Sequence, residues 1–466
     1  MIISKGIAKS RNAFLQDDIL SIDTEKQREL KIALDAIFTQ SRRKDIFCIA
    51  IFGQNRALGA LVLWYFIAEG INFYLSNKEF VEKKDIPNFC DQVLSISEGN
   101  MGLNDLEKVI GLRKNPYFFL GITPITSNSG SIFLSSSGTT GAPKFIYFKR
   151  EKLLLNAFNC IERFQLDSTV KVLVPVPIGH MFGLGVGMIP SMLSGASIFF
   201  IMNNNIIKFT QALIGFDPDV ILITPALAKM MVKLDKTLPK KIYISAGERI
   251  ESSLHHQFEL KYGTLANLYG SSELGAIATS STPHSTHSNY GNCEELWPLG
   301  EVRVIVDGEN EGQILCRHEF GFEYYLDKDC SIDSGRNQNF EWFRTNDFGK
   351  KMENGSFKVL GRLDNCINRS GFLISLEEIE LSLQSLFPEI NSVVVFEKRG
   401  KESHQDETLV AVCELKETSQ LGIKEIKKIC FQEMGRHMVP DEFFLVEQVE
   451  KLSSGKPDRK KVINTY

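Results

Sequence analysis

One ten-residue stretch constrains this chain more than any other. It runs Ser135-Ser-Ser-Gly-Thr-Thr-Gly-Ala-Pro-Lys144 and follows a short apolar run that predicts a buried strand. The glycines let the backbone bend tightly and approach a ligand, while the hydroxyl groups and the lysine add donors and positive charge. Such a loop suits a polyphosphate, although a polar surface turn is the plainer alternative. It is not a Walker A loop, because Phe145 stands where that pattern needs Ser or Thr.

Apolar runs that alternate with amphipathic stretches predict an α/β fold built on parallel strands. Residues 1 to about 45 are predicted to be helical, followed by a strand at Ile46–Phe52, a helix at Leu58–Ala68 and a strand at Ile71–Leu75. From Gly300 onward the residues alternate between apolar and polar, which predicts antiparallel hairpins of a smaller β subdomain. The last hundred or so residues predict a small α+β domain.

The composition excludes several classes of function. A length of 466 residues allows two or three domains, and the net charge of −4 argues against a general nucleic-acid binder. The nine cysteines include no C-x-x-C pair, which predicts reduced thiols in a cytoplasm instead of a disulfide framework or a zinc site. Residues Met1–Asp17 lack the apolar core of a signal peptide.

Two local features have a plain structural interpretation. Residues Phe182–Met202 carry no charge and are long enough to span a bilayer, but they contain one proline and four glycines. We therefore predict a buried helix up to Leu193, a stop at Gly195 and a buried strand. The pair His284 and His287 has no suitably spaced carboxylate or cysteine, so no metal site is predicted there.

Five further motifs follow the loop in order: Pro177–Leu184, Asn267–Glu273, Trp342–Asp347, Gly361–Gly371 with Ile374 and Glu377–Glu380, and Ser453–Arg459. Together with S-G-T-T-G-x-P-K they resemble the motifs of the adenylate-forming enzymes, a superfamily of acyl-CoA synthetases, luciferases and peptide-synthetase adenylation domains. The likeness is closest to acyl- or aryl-CoA ligases and extends from residue 135 to 459.

The chemistry of one motif follows from its residues. Tyr269 offers an aromatic face to a base, and Asn267 offers an amide that can pair with the edge of an adenine. Glu273 offers a hard oxygen ligand for Mg²⁺. These three residues predict a nucleotide site with a bound metal.

The resemblance implies roles for further residues. Nucleotide binding would fall to Ser136, Ser137, Gly138, Thr139, Thr140, Gly141, Lys144, Ala246, Gly247, Asn267, Tyr269, Gly270, Ser272, Asp347 and Arg362. His180 would line the acyl pocket, Lys456 would be the catalytic lysine, Asp364 the hinge pivot, and Gly371 the passage for a pantetheine arm. Without the other motifs, His180 would be interpreted as a structural or surface histidine. Lys456 would be interpreted as part of a solvated basic tail.

Four positions depart from the family pattern: Ser272 replaces Thr, Asn346 replaces Gly, Asn368 replaces Lys and Ser453 replaces Pro. Ser272 keeps the hydroxyl group. Asn tolerates a left-handed backbone better than other non-glycine residues, so we expect the turn at Asn346 to survive.

The implied domains are an N-terminal adenylation core, residues 1–361, and a mobile C-terminal domain, residues 362–466, with a hinge at Asp364. The implied reaction is ATP-dependent activation of a carboxylic acid to acyl-AMP, then transfer to a pantetheine thiol. The expected cofactors are ATP, Mg²⁺ and CoA, or the phosphopantetheine of an acyl carrier protein.

Two other functions are compatible with these motifs. An acyl- or aryl-AMP ligase that loads a carrier protein, or a non-catalytic nucleotide-binding relative, would carry similar motifs. No Asp or Glu lies between Ser168 and Phe216, so a buried ammonium would lack an anionic partner there. We therefore expect a small acyl or aryl acid and not an α-amino acid, with no nucleic-acid partner, no membrane span and a cytoplasmic location.

Overall fold

A computed structural model describes the protein at residues 14–17, 20–40, 48–52, 57–76, 86–96, 110–114, 130–136, 144–201, 206–280, 293–317, 319–327, 342–369, 372–398, 408–416, 419, 421–451 and 457–466. These residues form two compact units. The first comprises residues 1–303 and 316–343, and the second comprises residues 304–315 and 344–466. The predicted domain boundary at residue 361 does not coincide with this division. The prediction concerns a C-terminal domain that moves as a body, whereas the two units are defined by how the chain packs. The predicted hinge at Asp364 concerns motion and stays a prediction.

The helices are α1 Thr24–Gln40, α2 Ala57–Glu69, α3 Arg150–Phe164, α4 Ile189–Ser194, α5 Ile206–Gly215, α6 Pro225–Leu234, α7 Ser252–Tyr262, α8 Leu376–Leu386, α9 Ile423–Glu433 and α10 Arg459–Thr465. A π-helical turn, Phe182–Met188, leads directly into α4. Short 3₁₀ turns lie at Leu363–Asn365 and Arg436–Met438.

The strands are β1 Leu15–Gln16, β2 Ser21–Ile22, β3 Ile49–Phe52, β4 Phe73–Leu75, β5 Gln92–Ile96, β6 Ile110–Lys114, β7 Ser131–Ser136, β8 Lys144–Lys149, β9 Lys171–Val174, β10 Ser197–Phe200, β11 Val220–Ile223, β12 Lys241–Ser245, β13 Gly263–Ser271, β14 Gly275–Thr279, β15 Trp297–Pro298, β16 Arg303–Asp307, β17 Glu311–Arg317, β18 Tyr324–Leu326, β19 Phe343–Lys351, β20 Phe357–Arg362, β21 Cys366–Arg369, β22 Phe372–Ser375, β23 Ile390–Lys398, β24 Thr408–Leu415 and β25 Glu442–Val446.

Two large sheets organise the first unit. A nine-stranded sheet has the order β15-β14-β13-β12-β11-β9-β10-β1-β2, and its central strands β13 to β10 run parallel. A seven-stranded sheet has the order β18-β8-β7-β4-β3-β5-β6, with β4, β3 and β5 parallel to β7. The predicted α/β fold class is confirmed. The short apolar runs are strands because both faces of a parallel sheet are covered.

The helix predicted over residues 1–45 is only partly correct. Helix α1 covers Thr24–Gln40, but two short strands, β1 and β2, precede it and extend the edge of the nine-stranded sheet. Strands of two residues are too short to show a period of two in the sequence. The pairing of β1 with β10 is a tertiary contact that overrides the local pattern, and β2 in turn pairs with β1.

Within the uncharged stretch the predicted buried helix is confirmed, and the strand that follows it, Ser197–Phe200, is buried only at Ile198 and Phe200. Met202 lies outside the described residues. The helix stops at Gly195, whose φ of 80° gives a left-handed cap. A Cβ on Gly183 would lie 2.2 Å from the carbonyl oxygen of Pro177, so the π-helical turn can form only with glycine there. None of the helices in the described ranges is long and apolar enough to cross a membrane.

The second unit contains three smaller sheets. The predicted β subdomain is the antiparallel sheet β16-β17-β19-β20, and a two-stranded sheet, β21-β22, follows it. The predicted α+β region is the sheet β23-β24-β25 with α8 and α9. The core of this region joins apolar side chains of the helices to one face of the sheet. All eight cysteines within the described parts of the chain are free thiols.

Candidate active site

The predicted adenine-binding residues lie at one edge of the nine-stranded sheet. Strands β12 and β13 are parallel, and Ser245 at the end of β12 pairs with Asn267 on β13. Ala246 and Gly247 follow Ser245 directly, so they lie beside the Asn267–Tyr269 segment at the carboxyl ends of the strands. This is where open α/β sheets bind ligands. Gly247 has a φ of 95°, and a Cβ there would meet no atom within 4 Å, so the face above it is open.

Asn267 is held by its neighbours in an orientation that suits a base. Its Nδ2 donates to the carbonyl oxygen of Cys293 at 2.8 Å, and its backbone N–H donates to Oγ of Ser280 at 2.8 Å. With Nδ2 held in this way, Oδ1 is the side-chain atom suited to accept a hydrogen bond from an adenine amino group. Tyr269 lies two residues further along β13 and is half-buried.

A tight hairpin between β13 and β14 carries Glu273. A Cβ on Gly270 would lie 2.4 Å from the carbonyl oxygen of Gly275, so the two strands approach closely only because Gly270 has no side chain. Gly275 has a φ of 69°. Ser272 and Glu273 form the turn between these glycines, and both side chains are half-buried.

The buried side chain of Asn156 on α3 fixes this hairpin from behind. Its Nδ2 donates to the carbonyl oxygens of Leu274 and Ala276 at 3.2 and 3.3 Å, and its Oδ1 accepts from the N–H of Ala276 at 3.2 Å. A Cβ on Gly275 would lie 2.4 Å from Asn156 Oδ1. The orientation of Glu273 therefore depends on a residue 117 positions earlier in the chain.

The two ends of the predicted phosphate loop belong to neighbouring antiparallel strands. Ser136 ends β7 and Lys144 begins β8, where the two residues pair across the sheet. Ser137, Gly138, Thr139, Thr140 and Gly141 lie outside the described residues, and so does the side chain of Ser136. Lys144 is half-buried, and its Nζ lies 5.7 Å from the centroid of the Tyr325 ring.

Tyr325 also touches the predicted metal ligand. Its hydroxyl group donates to Oε1 of Glu273 at 2.9 Å, and the tyrosine side chain is only 4% exposed. The structure thus brings Lys144 and Glu273, which are 129 residues apart, to the same aromatic side chain.

The donor set around Glu273 fits a magnesium ion that is bound together with phosphates. No group of three or more His, Cys, Asp or Glu side chains suited to a metal occurs in the described part of the chain. Mg²⁺ commonly takes only one or two carboxylates, and substrate phosphates and water complete its octahedron. A single half-buried carboxylate beside the phosphate loop matches that pattern.

His180 lies beyond the carboxyl end of β9, at the same edge of the sheet as Gly247 and Asn267. Its backbone N–H donates to the carbonyl oxygen of Pro177 at 3.2 Å. The side chain is exposed to solvent, yet partial desolvation lowers the pKa of the imidazole below its ordinary value of 6.5. The imidazole is therefore neutral at pH 7.

Asp347 and Arg362 meet in the second unit. They pair across β19 and β20, and Nη1 of Arg362 lies 3.1 Å from Oδ1 of Asp347. The carboxylate is largely buried, whereas the guanidinium is exposed. Asn346 has a φ of 60°, which confirms that the turn survives without the usual glycine. Asp364 lies in the 3₁₀ turn that follows, and its Oδ2 is 3.7 Å from Arg362 Nη2.

Lys456 and Gly371 lie outside the described residues, as do His284 and His287. The helix that follows Lys456 is firmly anchored. Nη2 of Arg459 contacts both carboxylate oxygens of Glu380 at 2.6 and 2.5 Å, and Glu380 Oε1 also accepts from the N–H of Val395 at 2.7 Å. The last glutamate of the Glu377–Glu380 motif thus pairs with the arginine that ends the Ser453–Arg459 motif.

Sequence reasoning missed Tyr325, Asn156 and the pairing of Glu380 with Arg459. Tyr325 belongs to no motif, and Asn156 lies in a helix whose pattern indicates only an amphipathic scaffold. A polar residue at a buried helical position was the available signal for Asn156, which is 1% exposed.

A cavity of about 570 Å³ lies elsewhere, between β10 and α5, and is lined in part by Lys171, Lys208, Phe199 and Phe216. Strand β10 is four strands away from β13 in the sheet. The motif residues, and not this cavity, define the candidate site.

Several known proteins resemble this chain in sequence. Residues 105–326 match the family model described as AMP-binding enzyme. A sulfoacetate–CoA ligase from Cupriavidus necator is 24% identical over 74% of this chain and 68% of its own length. A 3,4-dihydroxybenzoate–[aryl-carrier protein] ligase from Bacillus anthracis is 25% identical over 71% of this chain and 73% of its own length.

The fold also matches solved structures. The structure of ATP-bound MatB from Rhodopseudomonas palustris superposes with a TM-score of 0.81, covering 99% of each chain at 15% identity. That likeness concerns the fold alone. The nucleotide and metal of this family are ATP and Mg²⁺, as the sequence motifs implied. Residues 105–326 of this chain therefore match the AMP-binding enzymes, the family that the sequence motifs resemble.

Proposed function

We propose that this protein is an AMP-forming carboxylate–thiol ligase of the acyl-CoA synthetase type. The observation that carries the proposal is the meeting of Lys144 and Glu273 at Tyr325. A cation at the end of the predicted phosphate loop and a carboxylate suited to Mg²⁺ are the groups that a polyphosphate needs, and here both contact the Tyr325 side chain. The nucleoside side of the site, at Gly247 and Asn267, lies on the strand that leads into the Glu273 turn.

In the first half-reaction an oxygen of the substrate carboxylate attacks the α-phosphorus of ATP. The bond from that phosphorus to the bridging oxygen breaks, and pyrophosphate leaves with the electron pair. No general base is required, because a carboxylic acid is already ionised at pH 7. Bound Mg²⁺ would offset the charge of the phosphates. Lys456 would hold the attacking oxygen and stabilise charge at the α-phosphate, which is worth about 3–4 kcal/mol for one preorganised group.

In the second half-reaction a pantetheine sulfur attacks the carbonyl carbon of acyl-AMP. The carbon–oxygen bond to AMP breaks, the thiol proton passes to solvent, and a thioester forms. We propose that residues 362–466 rotate about Asp364 between the two steps, which withdraws Lys456 and lets the pantetheine arm enter past Gly371. Domain motion of this kind lets one site serve two reactions.

We propose an uncharged acyl or aryl tail for the acid. His180 is neutral at pH 7 and offers one N–H donor and one acceptor but no charge. The segment between Ser168 and Phe216 contains no Asp or Glu that could pair with an α-amino group. A positively charged tail would therefore be buried without a partner.

Free CoA is the acceptor that we propose first. The similar protein from Cupriavidus necator is named a CoA ligase, which favours this choice. The similar protein from Bacillus anthracis is named a ligase of an aryl-carrier protein, and this favours a carrier-protein thiol as the second candidate. A thioester assay that offers CoA and a holo carrier protein side by side distinguishes the two.

Carboxylate-dependent exchange of pyrophosphate into ATP tests the proposal. The panel should contain short, medium and long fatty acids, benzoates, cinnamates and amino acids. Exchange with an acyl or aryl class and none with amino acids is the expected result. Binding of ATP without exchange across the whole panel would contradict ligase activity and favour a non-catalytic nucleotide-binding protein.

A further inference from the structure

One buried segment, residues 322–325, holds Glu273 at two places. The hydroxyl group of Tyr325 donates to carboxylate oxygen Oε1 at 2.9 Å, and the N–H of Phe322 donates to the backbone carbonyl oxygen of Glu273 at 2.9 Å. The rings of Phe322 and Tyr325 pack with their centroids 4.7 Å apart. Both the backbone and the carboxylate of Glu273 are thus fixed from the same side.

The sheet positions Tyr325 relative to Lys144. Tyr325 lies on β18 and pairs with Ile146 on β8, the strand that begins at Lys144. Ile146 is two residues after Lys144 on the same strand, so this pairing places Tyr325 close to that lysine. The ammonium group of Lys144 lies 5.7 Å from the ring centroid, within the range of a cation–π contact.

A hydrogen bond to one carboxylate oxygen has a defined effect on metal binding. It selects one rotamer of the carboxylate and leaves the other oxygen, here Oε2, directed to a metal. It also lowers the entropy that the side chain loses when the metal binds. Partners of this kind typically change metal affinity by about 10- to 100-fold.

We propose that Tyr325 is a positioning residue for the Mg²⁺–ATP site. Its hydroxyl group orients Glu273 for the metal, and its ring places Lys144 for the phosphates. This inference rests on the proposed function for the location of Mg²⁺–ATP. It adds a residue that no motif of the chain contains.

Metal binding measured directly gives the test. Mn²⁺ replaces Mg²⁺ as the probe, and the electron paramagnetic resonance signal of free Mn²⁺ is titrated with the full-length protein in the presence of ATP. Tyr325→Phe removes only the hydroxyl group and keeps the ring. We expect the dissociation constant for Mn²⁺ to rise about tenfold, with the Michaelis constant for ATP nearly unchanged at saturating metal. Tyr325→Leu also removes the ring, so the affinity for ATP should then fall as well.

Tyr324→Phe is the matched control, because it deletes the same hydroxyl group from the adjacent residue of β18. Its ring packs on Tyr147, with centroids 4.7 Å apart, and not toward Glu273. A dissociation constant for Tyr325→Phe within twofold of the Tyr324→Phe value would overturn the proposal.

A double mutant separates positioning from general damage to the fold. If Tyr325 acts through Glu273, then Tyr325→Phe should have no further effect on Mn²⁺ binding in a Glu273→Gln background. An undiminished effect in that background would refute the assigned role. Pyrophosphate exchange is measured separately. If exchange occurs but Tyr325→Phe does not change the dissociation constant for Mn²⁺, only this inference is refuted. If that dissociation constant changes but no acid supports exchange, only the proposed ligase activity is refuted.

Discussion

The ion pair between Glu380 and Arg459 should determine the stability of the region that follows Lys456. The Glu380 side chain is 14% exposed and that of Arg459 is 29% exposed, so both charges are largely removed from water. Arg459 also donates from Nη1 to the carbonyl oxygen of Val395 at 3.1 Å. The pair therefore connects α8, β23 and α10, and α10 begins three residues after Lys456.

Removing one partner leaves the other charge buried. We expect Arg459→Met to destabilise the second unit by about 3–5 kcal/mol, the usual effect of breaking a buried pair. The double variant Glu380→Met/Arg459→Met removes both charges, and it should recover a large part of that loss. The remaining cost should be about 1–3 kcal/mol, because the N–H of Val395 then loses its acceptor.

The effect of Arg459→Met should depend on pH with a definite sign. Burial raises the pKa of the Glu380 carboxyl to about 7, even though Arg459 and the N–H of Val395 oppose that shift. A carboxyl group whose pKa is higher in the folded than in the unfolded state takes up a proton on folding. In the variant Arg459 no longer opposes the shift, so the pKa of Glu380 should lie above its wild-type value of about 7. Stability of the variant should therefore increase as the pH falls below that raised pKa, since a neutral carboxyl group can be buried at lower cost.

Hydrogen exchange is the appropriate assay, because the three tryptophans lie at positions 64, 297 and 342, outside residues 344–466. Mass spectrometry of peptides from β23 at pH 6 and pH 8 reports local opening in wild type, the Arg459→Met and Glu380→Met single variants, and the double variant. The reasoning is refuted if protection of β23 is unchanged in Arg459→Met, or if the double variant loses as much as the two single variants combined.

Four further predictions concern other parts of the site. Lys456→Ala should reduce acyl-AMP formation about 10²- to 10³-fold but spare thioester formation from preformed acyl-AMP, so equal loss in the two half-reaction assays would contradict its role. His180→Ala should change the ranking of acids in pyrophosphate exchange while the affinity for ATP stays constant; an unchanged ranking would remove it from the acyl pocket. Asn346→Ala should cost about 1 kcal/mol in urea unfolding because alanine disfavours a φ of 60°, whereas Asn346→Gly should stay within about 0.5 kcal/mol of wild type. Asn156→Leu should lower the free energy of unfolding by about 2–3 kcal/mol through unpaired backbone groups and should weaken Mn²⁺ binding, and wild-type values in both measurements would exclude its support of the Glu273 turn.

Local patterns predicted most of the secondary structure correctly. The run predicted as a strand at Ile46–Phe52 contains β3, the predicted helix at Leu58–Ala68 lies within α2, and Gly195 ends α4 as predicted. Each of these elements depends on interactions within a few residues. Such interactions are visible in the sequence as the spacing of apolar residues, every 2 or 3.6 positions, and as a glycine at the end of a helix. The two-residue strands β1 and β2 carry no such period, so the sequence predicted a helix there.

The sequence by itself determined the chemical inventory of this protein. The order and residue types of its motifs predict a phosphate loop, an adenine-binding segment and a carboxylate for Mg²⁺, and they resemble the motifs of the AMP-binding enzymes. Only the tertiary structure decided which side chains hold the predicted site residues in place. Tyr325 is 52 residues from Glu273, Asn156 is 118 from Leu274, and Glu380 is 79 from Arg459. Contacts over such separations depend on which strands and helices become neighbours, and that outcome is a property of the packed chain that no local pattern encodes.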